Sequence, residues 1–138
     1  MIAESTVETA ALEWLCSLGY TIVSGPVIAP GELLAERSSY EEVVLQGRLR
    51  AAVRRLNPNI PQDAQDDAFR KVLRAEHPTL VANNRSFHRM LVDGVDVEYR
   101  RADGTIAGDK VRLLDFDDLD ENDWLAVNQF TVVDGCAT

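Results

Sequence analysis

Along the chain, apolar positions fall first at helical spacing and then at alternating spacing. Val7, Ala10, Ala11, Trp14, Leu15 and Leu18 lie at i, i+3, i+4, i+7, i+8 and i+11, which places them on one face of an amphipathic helix. Ser5-Thr6-Val7-Glu8 has the form of a capping box, in which the Ser5 hydroxyl and the Glu8 carboxylate would satisfy free backbone N–H groups at the helix start. Gly19 is expected to end that helix, because it adopts the left-handed conformation at little cost. Residues 20–23 predict a short strand, and Gly25-Pro26 to Pro30-Gly31 a loop.

A second capping box, Ser39-Tyr40-Glu41-Glu42, predicts another helix with Leu45, Leu49, Ala52, Val53 and Leu56 on its inner face. Arg48, Arg50, Arg54 and Arg55 fall outside that face, wrapped around the helix as a solvated polar surface, and Asn57-Pro58-Asn59 stops it. A third helix is expected over residues 62–76, ended by His77-Pro78, since the residue before proline avoids the helical region. A short helix follows over residues 84–91, with Asn83, Asn84 and Arg85 read as a cap plus one charged contact. The period then changes. Val95, Val97 and Tyr99 alternate with Asp96, Glu98 and Arg100, Asp103-Gly104 marks a turn, and residues 111–116 read as the returning strand. Residues 124–133 are apolar and β-branched enough for a central strand. Helices followed by an antiparallel hairpin and a central strand predict a single α/β domain over residues 1–138, without repeats.

Composition narrows the chemistry. The net charge of −9 argues against an autonomous nucleic-acid binder, since affinity for a polyanion comes largely from Lys and Arg. All 14 Lys and Arg residues lie between Arg37 and Arg112, where 11 acids accompany them and leave that segment at about +3. No apolar run approaches the roughly 20 residues of a membrane span. Glu4, Glu8 and Glu13 stand where a signal peptide would carry basic residues, so a cytoplasmic location is expected. Cys16 and Cys136 are too few for a disulfide framework, and with His77 and His88 they meet no zinc spacing. His88 reads as a helix-surface or core histidine. The acids Asp115, Asp117, Asp118, Asp120, Glu121 and Asp123 fail as a calcium loop. Counting from Asp118, Asp123 stands where glycine is needed and Gln129 where a bidentate Glu is needed. No phosphate-loop motif occurs. Nor does any [Asp/Glu]-x-Lys: Lys71 and Lys110 are preceded two positions earlier by Phe69 and Gly108.

Five blocks occur in order: ESTVETAALEWLCSLGY, IAPGELLAERSSYEEVVLQGRLRAAVRRLNPNIP, NNRSFHRML, GVDVEYR and NQFTV. From about Glu4 to Val133 they resemble the N-terminal region of the restriction (R) subunit of type I restriction enzymes. The resemblance implies a restriction-endonuclease-like core, a mixed sheet flanked by helices. In that fold acids and a lysine hold Mg²⁺ and activate water against a DNA phosphodiester. In the family, an Asp and then Glu-x-Lys sit on the strands after NQFTV. Here Asp134-Gly135-Cys136-Ala137-Thr138 stands there without an Arg-Pro-Asp context, so Asp134 is not expected to be catalytic and the core is expected to be incomplete. The resemblance thus implies a fragment inactive by itself. Its parent would cleave DNA with Mg²⁺, translocate it with ATP and assemble with modification and specificity subunits. Nucleases of this fold often carry an acid on the first core helix facing the metal, which makes Glu8 the candidate catalytic and metal-side residue beside its reading as a cap. The rival reading is a stand-alone, non-catalytic protein-binding module on the same half-fold. Either way, residues 124–133 would present an open strand edge and favour self-association.

Overall fold

Gly19 sets the first turn of the fold. With φ at +98° it ends helix α1 (Glu4–Ser17), its own N–H donating to Cys16 O and the Tyr20 N–H to Leu15 O. This paired closure needs a residue that tolerates the left-handed region. The computed structural model describes residues 1–133, so Asp134 and Cys136 lie outside the described residues. Two compact units emerge: Met1–Gln46 together with the segment from Asp123, and Gly47–Asn122.

In the first unit, β1 (Thr21–Ser24) pairs in parallel with the last described strand (Leu125–Asn128), Thr21 opposite Leu125 and Ser24 opposite Asn128. Helix α1 lies against both strands. Its half-buried positions are Glu8, Leu12 and Leu15, at i, i+4 and i+7. The face expected from the apolar spacing instead points largely outward: Val7 is 59% exposed, Trp14 77% and Leu18 75%. Apolar residues occupy more of this helix than one stripe, so spacing alone does not decide which stripe meets the sheet. Hydrogen bonds to Glu8, described below, decide it.

Neither capping box forms. Helix α1 begins one residue before Ser5, with Ala3 at its N-cap and no side-chain cap; the Ser5 carbonyl accepts from the Thr9 hydroxyl. Residues 39–45 form no helix, and the Glu42 carboxylate is taken by the Ser38 N–H and hydroxyl rather than by a helix start.

The second unit holds α2 (Gln46–Leu56), α3 (Gln62–Leu73), α4 (Leu80–Asp93), β2 (Val95–Arg100) and β3 (Ile106–Val111); the strand paired with β1 is β4. β2 and β3 form an antiparallel hairpin with Val95 opposite Val111 and Arg100 opposite Ile106. The returning strand therefore starts five residues before the sequence expectation. The turn explains the shift. Gly104 stands at φ +87°, and Asp103 accepts from both the N–H and the hydroxyl of Thr105, so the chain reverses tightly and pairs at once. α3 packs on β2. Val53, Ile60, Ala64, Ala68, Val72, Val95, Val97, Val111 and Leu113 form the buried core. α4 starts four residues earlier than expected, capped by the Thr79 hydroxyl on the Ala82 N–H. Asn83 lies inside the helix and clamps the His77 backbone, accepting from its N–H and donating to its carbonyl. Arg50 and Arg55 of α2 are not merely solvated. Arg50 lies over the Phe69 ring at 4.1 Å and reaches Asp66 at 3.2 Å, and Arg55 donates to Glu121 O.

Asn57 connects these pieces. Only 5% exposed, it donates to Val53 O and Arg112 O and accepts from the Arg112 N–H, while Gln65 donates to its carbonyl. Its side chain thus closes α2 and pairs with the backbone just beyond β3 as a short strand would. Replacing it by alanine strands buried polar groups at both places. Asn57→Ala should cost about 2–3 kcal/mol. Urea unfolding followed by circular dichroism measures this, and a loss below about 0.5 kcal/mol would contradict the clamp.

Candidate functional site

The Glu8 carboxylate on α1 meets the end of β4. Asn128, the last residue of that strand, donates Nδ2–H to Glu8 Oε1 at 2.7 Å. Gln129, the next residue, donates Nε2–H to Oε1 at 3.1 Å and to Oε2 at 3.2 Å. Two amides from one short segment therefore orient one carboxylate from the opposite end of the described chain, and bonds to an ionised acceptor are stronger than neutral ones. They hold the Glu8 carboxyl below its ordinary range, Asn128 contributing most and Gln129 next. Glu8 caps nothing here; its carboxylate is spent on β4.

Gln129 reaches Glu8 from an unusual backbone. Its φ is +53°, the left-handed region, where a side-chain-bearing residue costs about 1–2 kcal/mol. Gly25 lies immediately against it. A Cβ at Gly25 would stand 2.2 Å from Gln129 O, so a glycine is required where the chain leaves β1. The NQFTV block was legible as a motif, but the role of its two amides was not; a polar pair ending an apolar strand is the available signal.

The structure places other sequence candidates elsewhere. Lys71 and Lys110 do meet acids, in a groove of about 820 Å³ in the second unit that is also lined by Asp67, Asp96, Glu98 and Asp109. Lys110 Nζ pairs with Asp96 at 2.8 Å, and Lys71 donates to the Asp96 carbonyl and lies 3.2 Å from Asp67. The Lys110 hydrogen bond, followed by its charge, lowers the Asp96 carboxyl, and the same bond raises Lys110. These are exposed ion pairs, Lys110 with Asp96 and Lys71 with Asp67. In the acidic run, Asp115 accepts the N–H groups of Asp117 and Asp118, and Asn122 exchanges hydrogen bonds with the Asp115 backbone. The carboxylate builds a turn. His88 is exposed on α4.

Mg²⁺ takes oxygen ligands in near-octahedral geometry. Glu8 supplies one carboxylate, and among the described residues no three His, Cys, Asp or Glu gather where a metal could be held. The residues present do not by themselves fit a Mg²⁺ centre.

Residues 1–137 match the family described as "Type I restriction enzyme R protein N terminus". The chain belongs to this family. It is 35% identical over 132 residues to the type I restriction enzyme HindI endonuclease subunit of Haemophilus influenzae, covering 96% of this chain and 12% of that protein. It is 30% identical over 126 residues to the putative type I restriction enzyme MjaIXP endonuclease subunit of Methanocaldococcus jannaschii, covering 91% and 12%. The chain thus spans about an eighth of the length of these relatives. No solved structure matches it. Its described residues form an α/β fold with early helices, an antiparallel hairpin and a parallel strand pair. No helix among its described residues is long and apolar enough to cross a membrane.

A carboxyl held below its ordinary range stabilises the fold at neutral pH and loses that contribution as pH falls through the lowered value. The contact between Glu8 and Asn128–Gln129 should therefore persist through the ordinary glutamate range and break only at lower pH. The side-chain amide resonances of Asn128 and Gln129, followed against pH, measure this. A midpoint at or above the ordinary glutamate value would contradict the clamp.

Proposed function

We propose that residues 1–138 act as one domain, the N-terminal portion of the nuclease domain of a type I restriction R subunit. The parent enzyme is a cytoplasmic DNA endonuclease that cleaves with Mg²⁺, moves DNA with ATP and works with modification and specificity subunits. This portion alone is inactive. Glu8 is the carboxylate it contributes to the metal side of the complete centre. One observation carries the reading: the first and last blocks of the family match meet at a single oriented carboxylate, Glu8 under Asn128 and Gln129. An acid held ionised and fixed in direction suits a metal ligand, whose orientation by neighbouring hydrogen bonds commonly matters tenfold to a hundredfold in metal affinity or activity.

The test uses the full-length R subunit assembled with its partner subunits. Glu8→Ala and Glu8→Gln should lower DNA cleavage by roughly tenfold or more while leaving DNA-dependent ATP hydrolysis in place. Unchanged cleavage in both variants would remove Glu8 from the site. The isolated 138-residue chain should leave DNA intact in Mg²⁺ or Mn²⁺, and metal-dependent cutting by it would overturn the reading.

We also propose that the isolated chain self-associates through β4. Among the described residues β4 pairs on one side only, with β1, and an unpaired edge is a template for another strand. Light scattering across a concentration series should show dimers or larger species. A strict monomer at the highest concentration would count against it.

A further inference from the structure

Arg37 is 5% exposed, in the irregular segment between β1 and α2. Burying a guanidinium is costly unless its surroundings compensate. Its Nη1–H donates to Glu42 O at 2.9 Å and its Nη2–H to Thr131 O, while its buried Nε is without a hydrogen-bond partner. The flat group lies 3.9 Å from the Phe130 ring centroid and 5.2 Å from that of Tyr40. The Val133 N–H donates to Tyr40 O, so the same segment is gripped once more.

What this arginine holds is the exit from β4. Phe130 and Thr131 directly follow Gln129, the residue in the left-handed region. On the upstream side Gln129 is fixed by strand pairing, which ends at Ser24 opposite Asn128, and by the close approach of Gly25. Downstream, the guanidinium fixes the next ring and the next carbonyl. A strained backbone persists only where its surroundings determine it from both sides.

We infer that Arg37 is a positioning residue: by gripping Phe130 and Thr131 it keeps the Gln129 amide on the Glu8 carboxylate. Its importance for cleavage rests on the reading of Glu8 given above. Lysine in its place keeps the charge but loses the planar face and the two-pronged donor set, so it is not an equivalent.

The test follows the side-chain amide resonances of Asn128 and Gln129 in the 138-residue chain. Glu8→Gln identifies which positions of those signals report the contact. In Arg37→Lys the Gln129 amide should move to free-glutamine values while Asn128, held in the strand, stays near its original position. Phe130→Leu should shift Gln129 in the same direction, and it decides alone if Arg37→Lys does not fold. An unmoved Gln129 amide in a folded variant overturns the inference. So does simultaneous loss of both amides and of the β1–β4 backbone pattern in both variants, since that is general destabilisation. If Gln129 responds as expected but Glu8→Gln leaves cleavage by the full enzyme intact, the positioning stands and the reading of Glu8 fails.

Discussion

The first unit depends on a main-chain pairing between segments from opposite ends of the described chain. Four residues of β1 lie beside four of β4, and the crossover between them contains the whole of the second unit. Closing so long a connection has an entropic cost that rises only slowly with length, but four paired residues offset little of it. The clamps around the ends of this pair are therefore part of the fold. The Tyr20 and Trp124 rings meet in a tilted contact, centroids 5.5 Å apart, at one end, and the Thr21 N–H donates to Trp124 O. At the other end stand Gly25, Gln129, Glu8 and Arg37.

Much of the second unit was legible in the sequence. α3, the alternation of β2 and the glycine turn of the hairpin are local, because apolar period and turn chemistry act within a few residues. The readings that failed have both local and distant causes. Ser5 to Glu8 and Ser39 to Glu42 have the spacing of capping boxes, yet both carboxylates are claimed elsewhere, Glu42 by Ser38 four positions before it and Glu8 by residues 120 and 121 positions away. Spacing shows that a cap is possible; it cannot show a competitor folded in from the far end. The candidate site was half visible for the same reason. Glu8 could be singled out by resemblance, whereas its amide partners and the arginine behind them require the tertiary fold.

Side-chain amides do the same work throughout the molecule. Asn57 pairs with the backbone of Arg112, Asn83 with that of His77, Asn122 with that of Asp115, and Gln65 with the carbonyls of Asn57 and Ile60. An amide carries donors and an acceptor together, so it can replace a missing strand or helical turn at a junction. From sequence these residues read as stops and caps, which is true of their position but not of what they hold. Asn128 and Gln129 instead donate to a carboxylate, that of Glu8.

Burial of Arg37 leaves an electrostatic signature. It is the sole Lys or Arg of the first unit, so that unit's surface has no cationic side chain from either residue type to set against its glutamates. A duplex brought close to Glu8 would meet repulsion there rather than counter-charge. The screening needed for that approach must come from salt or from cationic groups lying outside this unit. Raised ionic strength would then ease the local encounter at Glu8 even as it weakened phosphate contacts made by other parts of an enzyme.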